Sequence, residues 1–217
     1  KDVVLPIEPT EDIIVVSFTD DNGRTTYTDE FTESDEGIVI TANGNVKISI
    51  IQSERTQYTD VHSNNHWATK SVDFVSALGI MKGIGKDEFA PDSHLTRAML
   101  VTMLYRAEGE PEVETVNSFG DIKENAWYEK AVLWAKENGI VNGVTENEFA
   151  PNIDITREQI ATIMHRYAMY KGDDVESGEN TNILSYDDSD SISDYAISSM
   201  QWANGIGLIN GKTESTL

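Results

Sequence analysis

The chain has 217 residues, 39% of them hydrophobic and 25% charged, with a formal net charge of −22 and no cysteine. Length and apolar content allow one large or two small domains with buried cores, and the acidity disfavours bulk attraction to nucleic acid or anionic membranes. The missing thiols exclude disulfides, thiol catalysis and thiolate metal sites; no apolar run approaches the ~18 residues of a membrane span; and the opening KDVVLPIEP lacks the apolar stretch of a secretion signal, so the sequence reads as a piece of something longer.

Residues 1–56 read as strands, in DIIVVSF, RTTYTDE, GIVIT and NVKISII. DDNG at 20–23 and ANGN at 42–45 both contain Asn-Gly, a strong short hairpin signal. Val46, Ile48 and Ile50 alternate with Lys47 and Ser49, which predicts one buried face. The expected result is a small antiparallel meander, too small to stand comfortably alone.

From Tyr58 the pattern becomes helical, and the chain repeats itself. FAPDSHLTRAML at 89–100 returns as FAPNIDITREQI at 149–160. Trp67 and Trp127, Gly79 and Gly139, Gly83 and Gly143, Pro91 and Pro151, and Arg97 and Arg157 are each sixty positions apart. A third copy starts at Tyr186; Gly207 and Gly211 match the glycine pair, and Tyr195 takes the tryptophan's place. It ends before any F-x-P and Thr-Arg. The expected organisation is a β subdomain at 1–56, a first repeat at 57–110, a second with its linker at 111–175, and a linker with an incomplete third repeat at 176–217. That makes an α+β chain.

Within a copy, a first helix begins near the tryptophan and places Trp67, Val72, Val75 and Leu78 on one face. Gly79 ends it as a C-terminal cap. A second helix starts at Thr96 with Leu100, Met103, Leu104 and Ala107 as its apolar stripe. Such helix pairs must bury their stripes on one another. The third copy, lacking a second helix, is expected to leave a seam lined by Met200, Trp202 and Leu208, with self-association through it.

An aromatic-x-Asp, a Trp-Ala or its variant, GI-x-x-G, and F-x-P followed by [LI]-T-R together resemble the S-layer homology module of bacterial cell-surface proteins. The resemblance covers residues 58–217. It implies three tandem modules in a pseudo-trimeric helical bundle whose grooves bind a peptidoglycan-linked secondary polysaccharide, often pyruvylated. It also implies an extracellular location on the cell wall, non-covalent anchoring of a secreted protein, and no cofactor. The alternative is a surface protein-interaction or self-assembly module.

Thr156-Arg157-Glu158-Gln159 reads as a capping box, with Thr156 accepting from the third helical amide and Gln159 reaching back to the Thr156 amide. The box accounts for Thr and Gln but not for the arginine, because a cation in the first turn opposes the helix dipole. Arg97 and Arg157 are therefore expected to be exposed and to bind a carboxylate beside free helix amides, an internal ion pair being the other reading. Trp67, Trp127 and Tyr195 suit either the core or a sugar ring. Asp60, Asp121 and Asp188 are expected to hydrogen-bond amides of the loop entering the first helix, or to touch sugar. Gly83, Gly143 and Gly211 permit either a tight turn or close approach of backbone to ligand. HSNNH places His62 and His66 four apart without a carboxylate partner, so no metal site is assigned. DDSDSISD at 187–194 begins like a calcium loop but lacks its glycine and closing glutamate. No nucleophile–base set is visible, so no residue is assigned to catalysis and the chain is expected not to be an enzyme.

Overall fold

A computed structural model describes every residue except 9–10, 64–65, 177–180 and 214. The middle of HSNNH and part of the linker DDVESGENTN lie outside the described residues. The chain divides into two compact units, residues 1–93 and 94–217. That boundary falls inside the first copy of the repeat, between its glycine loop and its second helix.

The first unit holds strands β1 (Asp2–Leu5), β2 (Ile13–Asp20), β3 (Thr25–Thr28), β4 (Thr32–Ser34), β5 (Gly37–Thr41) and β6 (Val46–Ser53). They form two antiparallel sheets, ordered β1-β5-β4 and β3-β2-β6, not the expected single meander. Asn22-Gly23 does close the β2–β3 hairpin: the Asp20 carboxylate accepts from the Asn22 and Arg24 amides, and Gly23 takes φ 81°. Asn43-Gly44 closes none. Its flanking strands, β5 and β6, belong to different sheets, because β1 and β4 occupy both edges of β5. Ile14, Val16, Ile38 and Ile40 are buried between the sheets, with Ile48 packed against them. Ile50 was expected on the buried face but is exposed, since β6 is an edge strand and the core gathers on β2.

Helices α1 (Thr59–His62) and α2 (Thr69–Ala77) complete this unit, α2 packing on β2 and β6. Each imidazole of HSNNH has a separate carboxylate, contrary to expectation: His62 Nε2 lies 2.9 Å from Asp73 and His66 Nε2 3.4 Å from Asp92. Asp73 also faces Arg55 at 3.1 Å.

The second unit contains α3 (Arg97–Ala107), α4 (Glu129–Glu137), α5 (Arg157–Tyr170) and α6 (Ile197–Gly205). Helix α3 packs on α4, and α5 on α6. Each second helix of one copy thus packs on the first helix of the next. Ala98, Val101 and Leu104 from copy one share a core with Val132, Ala135 and Phe149 from copy two. Ala161 and Ala168 from copy two share another with Met200, Trp202 and Ala203 from copy three. Because α3 is covered on more than one side, Ala98, Val101 and Tyr105 are buried while Ala107, expected in the stripe, is exposed.

The helix ends follow local chemistry. Thr96 and Thr156 accept from the amides of Met99 and Gln159, both at 3.3 Å. Gly79, Gly139 and Gly207 adopt φ 70°, 69° and 75°, and the residue after each donates back into the helix, to Val75, Ala135 and Ala203. Two corrections concern copy three. Met200 and Trp202 are buried beneath α5, which packs on α6, so only Leu208 of the expected seam is exposed. Leu217 also occupies the place of Phe89 and Phe149, its amide 2.9 Å from Asp188.

Candidate functional site

Three aspartates form the same latch. Asp121 accepts from the amides of Phe149 at 2.9 Å and Ala150 at 2.6 Å. Asp60 does so from Phe89 and Ala90, and Asp188 from Leu217. These are backbone amides, as expected, but they belong to the far end of the glycine loop rather than to the entry of the first helix. Ala90 and Ala150 sit at φ 61° and 60°, a left-handed conformation that alanine adopts only under constraint. The latch supplies that constraint.

The Phe89 amide is the main cause holding the Asp60 carboxyl below its ordinary value of 3.8. A depressed folded-state pKa adds stability above the unfolded value, and that stability is lost as pH falls through the depressed one. Acid titration followed by circular dichroism is expected to show this loss below about pH 4, and Asp60→Asn should flatten that limb. An identical limb in the variant would contradict the latch.

The inner glycines are explained by packing. A Cβ on Gly143 would lie 2.1 Å from the Thr145 carbonyl oxygen and 2.8 Å from the Phe119 ring. On Gly83 it would meet Glu88 O at 2.3 Å, and on Gly211, Thr213 O at 2.5 Å. The tight turn alone therefore requires glycine.

Arg97 is buried, not exposed as expected, and has no carboxylate within ion-pair distance among the described residues. Its Nε donates to Phe149 O at 2.9 Å, Nη2 to Asn142 O at 3.1 Å and Nη1 to Gln159 Oε1 at 3.5 Å. The guanidinium lies 4.8 Å from the Phe149 ring centroid. Burial pushes its pKa down, while Tyr195 and Asp121 act in the opposite direction. Gln159 thus faces Arg97 instead of returning to the Thr156 amide. The α3 amides are not free either: those of Arg97 and Ala98 donate to Ile153 O and Pro151 O across a short antiparallel bridge between Thr96 and Asp154. Arg157 repeats the arrangement, its Nη2 donating to Asn210 O beside Gly211. Among the described residues its Nε is buried without a partner.

Arg97 forms the floor of a groove of about 450 Å³. Gly143 lines one side, Thr162 and Arg166 of α5 another, and Tyr195 of copy three the rim. Three copies of the repeat therefore contribute to one groove. Among the described residues Arg166 has neither a hydrogen bond nor an ion pair, and no carboxylate lines the groove. Arg166 and Thr162 were not picked out from the sequence, although Arg106 and Thr102 precede them by sixty positions.

The aromatic residues are not core anchors. Trp67, Trp127 and Tyr195 are 84%, 59% and 56% exposed. Each stands one residue before a helix cap, outside the apolar face; the caps Ala68, Tyr128 and Ala196 are buried instead. Trp127 leans edge-on against Tyr128, and the Tyr195 hydroxyl donates to Glu158 at 3.1 Å. The structure brings Arg97, Gly143 and Tyr195 together. Trp127 lines a separate groove, Arg157 and Gly211 meet at the next copy, and Trp67, Asp60 and Gly83 belong to the first unit.

Residues 57–98 and 118–161 match the S-layer homology domain. These two segments are S-layer homology repeats. It is 29% identical over 167 residues to exoglucanase XynX of Acetivibrio thermocellus, 32% over 163 residues to an endoglucanase of Bacillus sp. (strain KSM-635), and 30% over 155 residues to the surface-layer 125 kDa protein of Lysinibacillus sphaericus. These matches cover 76%, 75% and 71% of this chain but only 15%, 17% and 12% of those relatives. The S-layer homology repeats are thus the part this chain shares with both glucanases and surface-layer proteins, in agreement with a cell-surface location. No helix among the described residues is long and apolar enough to cross a membrane.

Proposed function

We propose that this chain anchors a secreted protein to the bacterial cell wall, non-covalently, by binding an acidic peptidoglycan-linked polysaccharide in the groove of Arg97, Arg166 and Tyr195. One observation carries the reading: a chain of net charge −22 keeps two guanidinium groups in one groove that, among the described residues, no carboxylate lines. Such a groove selects an anion. A pyruvate ketal presents a compact carboxylate on a sugar ring, and the exposed Tyr195 beside the arginines offers that ring a face. Three repeats arranged as a pseudo-trimer would present related grooves at successive junctions. The S-layer homology family and its surface-layer relatives support the anchoring role.

Sedimentation with protein-free cell walls tests the reading, using walls before and after mild removal of pyruvate. Pyruvate removal is expected to release the chain. Arg166→Gln should lower retention by roughly tenfold, the effect of one charge-assisted contact, and leave the melting temperature nearly unchanged because Arg166 has no partner to lose among the described residues. Added salt should weaken retention. Retention indifferent to pyruvate, salt and Arg166 would favour a protein-interaction module instead.

A further inference from the structure

A second groove, of about 350 Å³, shares three repeat positions with the first, one period earlier in the sequence, but has no counterpart of Arg97 or Gly143 in its lining. Thr102, Arg106 and Trp127 stand in it where Thr162, Arg166 and Tyr195 stand in the first. Its charge is different. Arg106 Nε lies 3.8 Å from the Glu110 carboxylate, one helical turn further on. Lys130 and Glu129 also line the wall, so two cations face two carboxylates. The residue sixty positions after Glu110 is Tyr170, which packs edge-on against Trp134 and does not line the first groove, so no carboxylate stands at that position beside Arg166.

We infer that the two grooves have diverged in the charge of the sugar they accept, and that Glu110 is the determinant. The Tyr195 groove takes an acidic sugar. The Trp127 groove takes an uncharged one, stacked on the exposed indole, because Glu110 already engages the Arg106 cation that an incoming carboxylate would need and repels that carboxylate itself. The inference rests on the wall-polysaccharide reading and specifies how one polymer with charged and uncharged residues would lie across both grooves.

The test is a nuclear magnetic resonance titration of the isotope-labelled full chain with two probes, a pyruvylated N-acetylhexosaminide and its unpyruvylated parent. The Gly143 amide reports on the first groove and the Trp127 indole N–H on the second. The acidic probe is expected to move Gly143 at concentrations at least roughly tenfold lower than those that move Trp127, and the neutral parent to move Trp127. Glu110→Gln should bring the acidic probe onto Trp127 with a gain of roughly tenfold, leaving the Gly143 response unchanged. Equal movement of both reporters by the acidic probe, or no gain in Glu110→Gln, would overturn the inference while leaving the anchoring reading intact. No response at Gly143 to the acidic probe would overturn both.

Discussion

Arg97→Ala is expected to lower the stability of the second unit by about 3 kcal/mol, the largest single effect among the residues of the groove. The side chain is buried and donates to two backbone carbonyls of copy two, at Phe149 and Asn142. Truncation leaves both acceptors unpaired and removes the contact with the Phe149 ring. Arg97→Lys should lose about half as much, because an ammonium keeps the charge but cannot reach both carbonyls with a planar fork. Denaturant unfolding of the three proteins checks the order; a loss below about 1 kcal/mol for the alanine variant would mean that the carbonyls find other partners. Lost wall binding in an Arg97 variant would not by itself reveal a ligand contact, since the groove floor goes with it. Arg166 is the arginine whose removal isolates binding.

Asp121→Asn is expected to cost about 2 kcal/mol. The carboxylate accepts from two amides at once, those of Phe149 and Ala150. An asparagine offers one oxygen, and its amino group faces the second donor. The loss falls where Ala150 is held at φ 60°, so the strained turn is released as the latch opens. Adding Ala150→Gly to Asp121→Asn should recover about 1 kcal/mol, because glycine holds the left-handed conformation without a steric penalty. Melting curves of the single and double variants decide this, and a double variant no more stable than the single one would show that strain at Ala150 plays no part.

What was legible in the sequence is what local chemistry determines. Thr96 and Thr156 cap their helices, Gly79, Gly139 and Gly207 end theirs, and Asn22-Gly23 turns its hairpin, each within a few residues of its signal. Distant partners reversed the other expectations. Arg97 looks like an exposed first-turn residue until Phe149 O and Asn142 O, 52 and 45 positions away, are placed around it. The same loop of copy two supplies the carbonyls of Pro151 and Ile153 that use up the α3 amides, which removes the free helix end as an anion site. Asn43-Gly44 carries a hairpin signal as strong as Asn22-Gly23, but β1, more than thirty residues earlier, has already claimed the edge of β5. The groove was half legible: the period of sixty exposes Arg97, Gly143 and the aromatic position, and it also marks Arg106 and Arg166, which only the lining of the grooves singles out.

The period written in the sequence and the period of packing are out of step by half a copy. A fragment trimmed to the recognisable motif, such as 118–161, would keep α4 and the start of α5 but lose α3 and α6, the helices against which they pack. It would carry two half-cores and no whole one. Anyone shortening or lengthening such an array would do better to cut within a copy, between its glycine loop and its second helix, so that α3 travels with α4 and α5 with α6. Grafting then becomes a matter of moving complete helix pairs, and the Thr-Arg signature marks where a transplantable block opens rather than the middle of a motif.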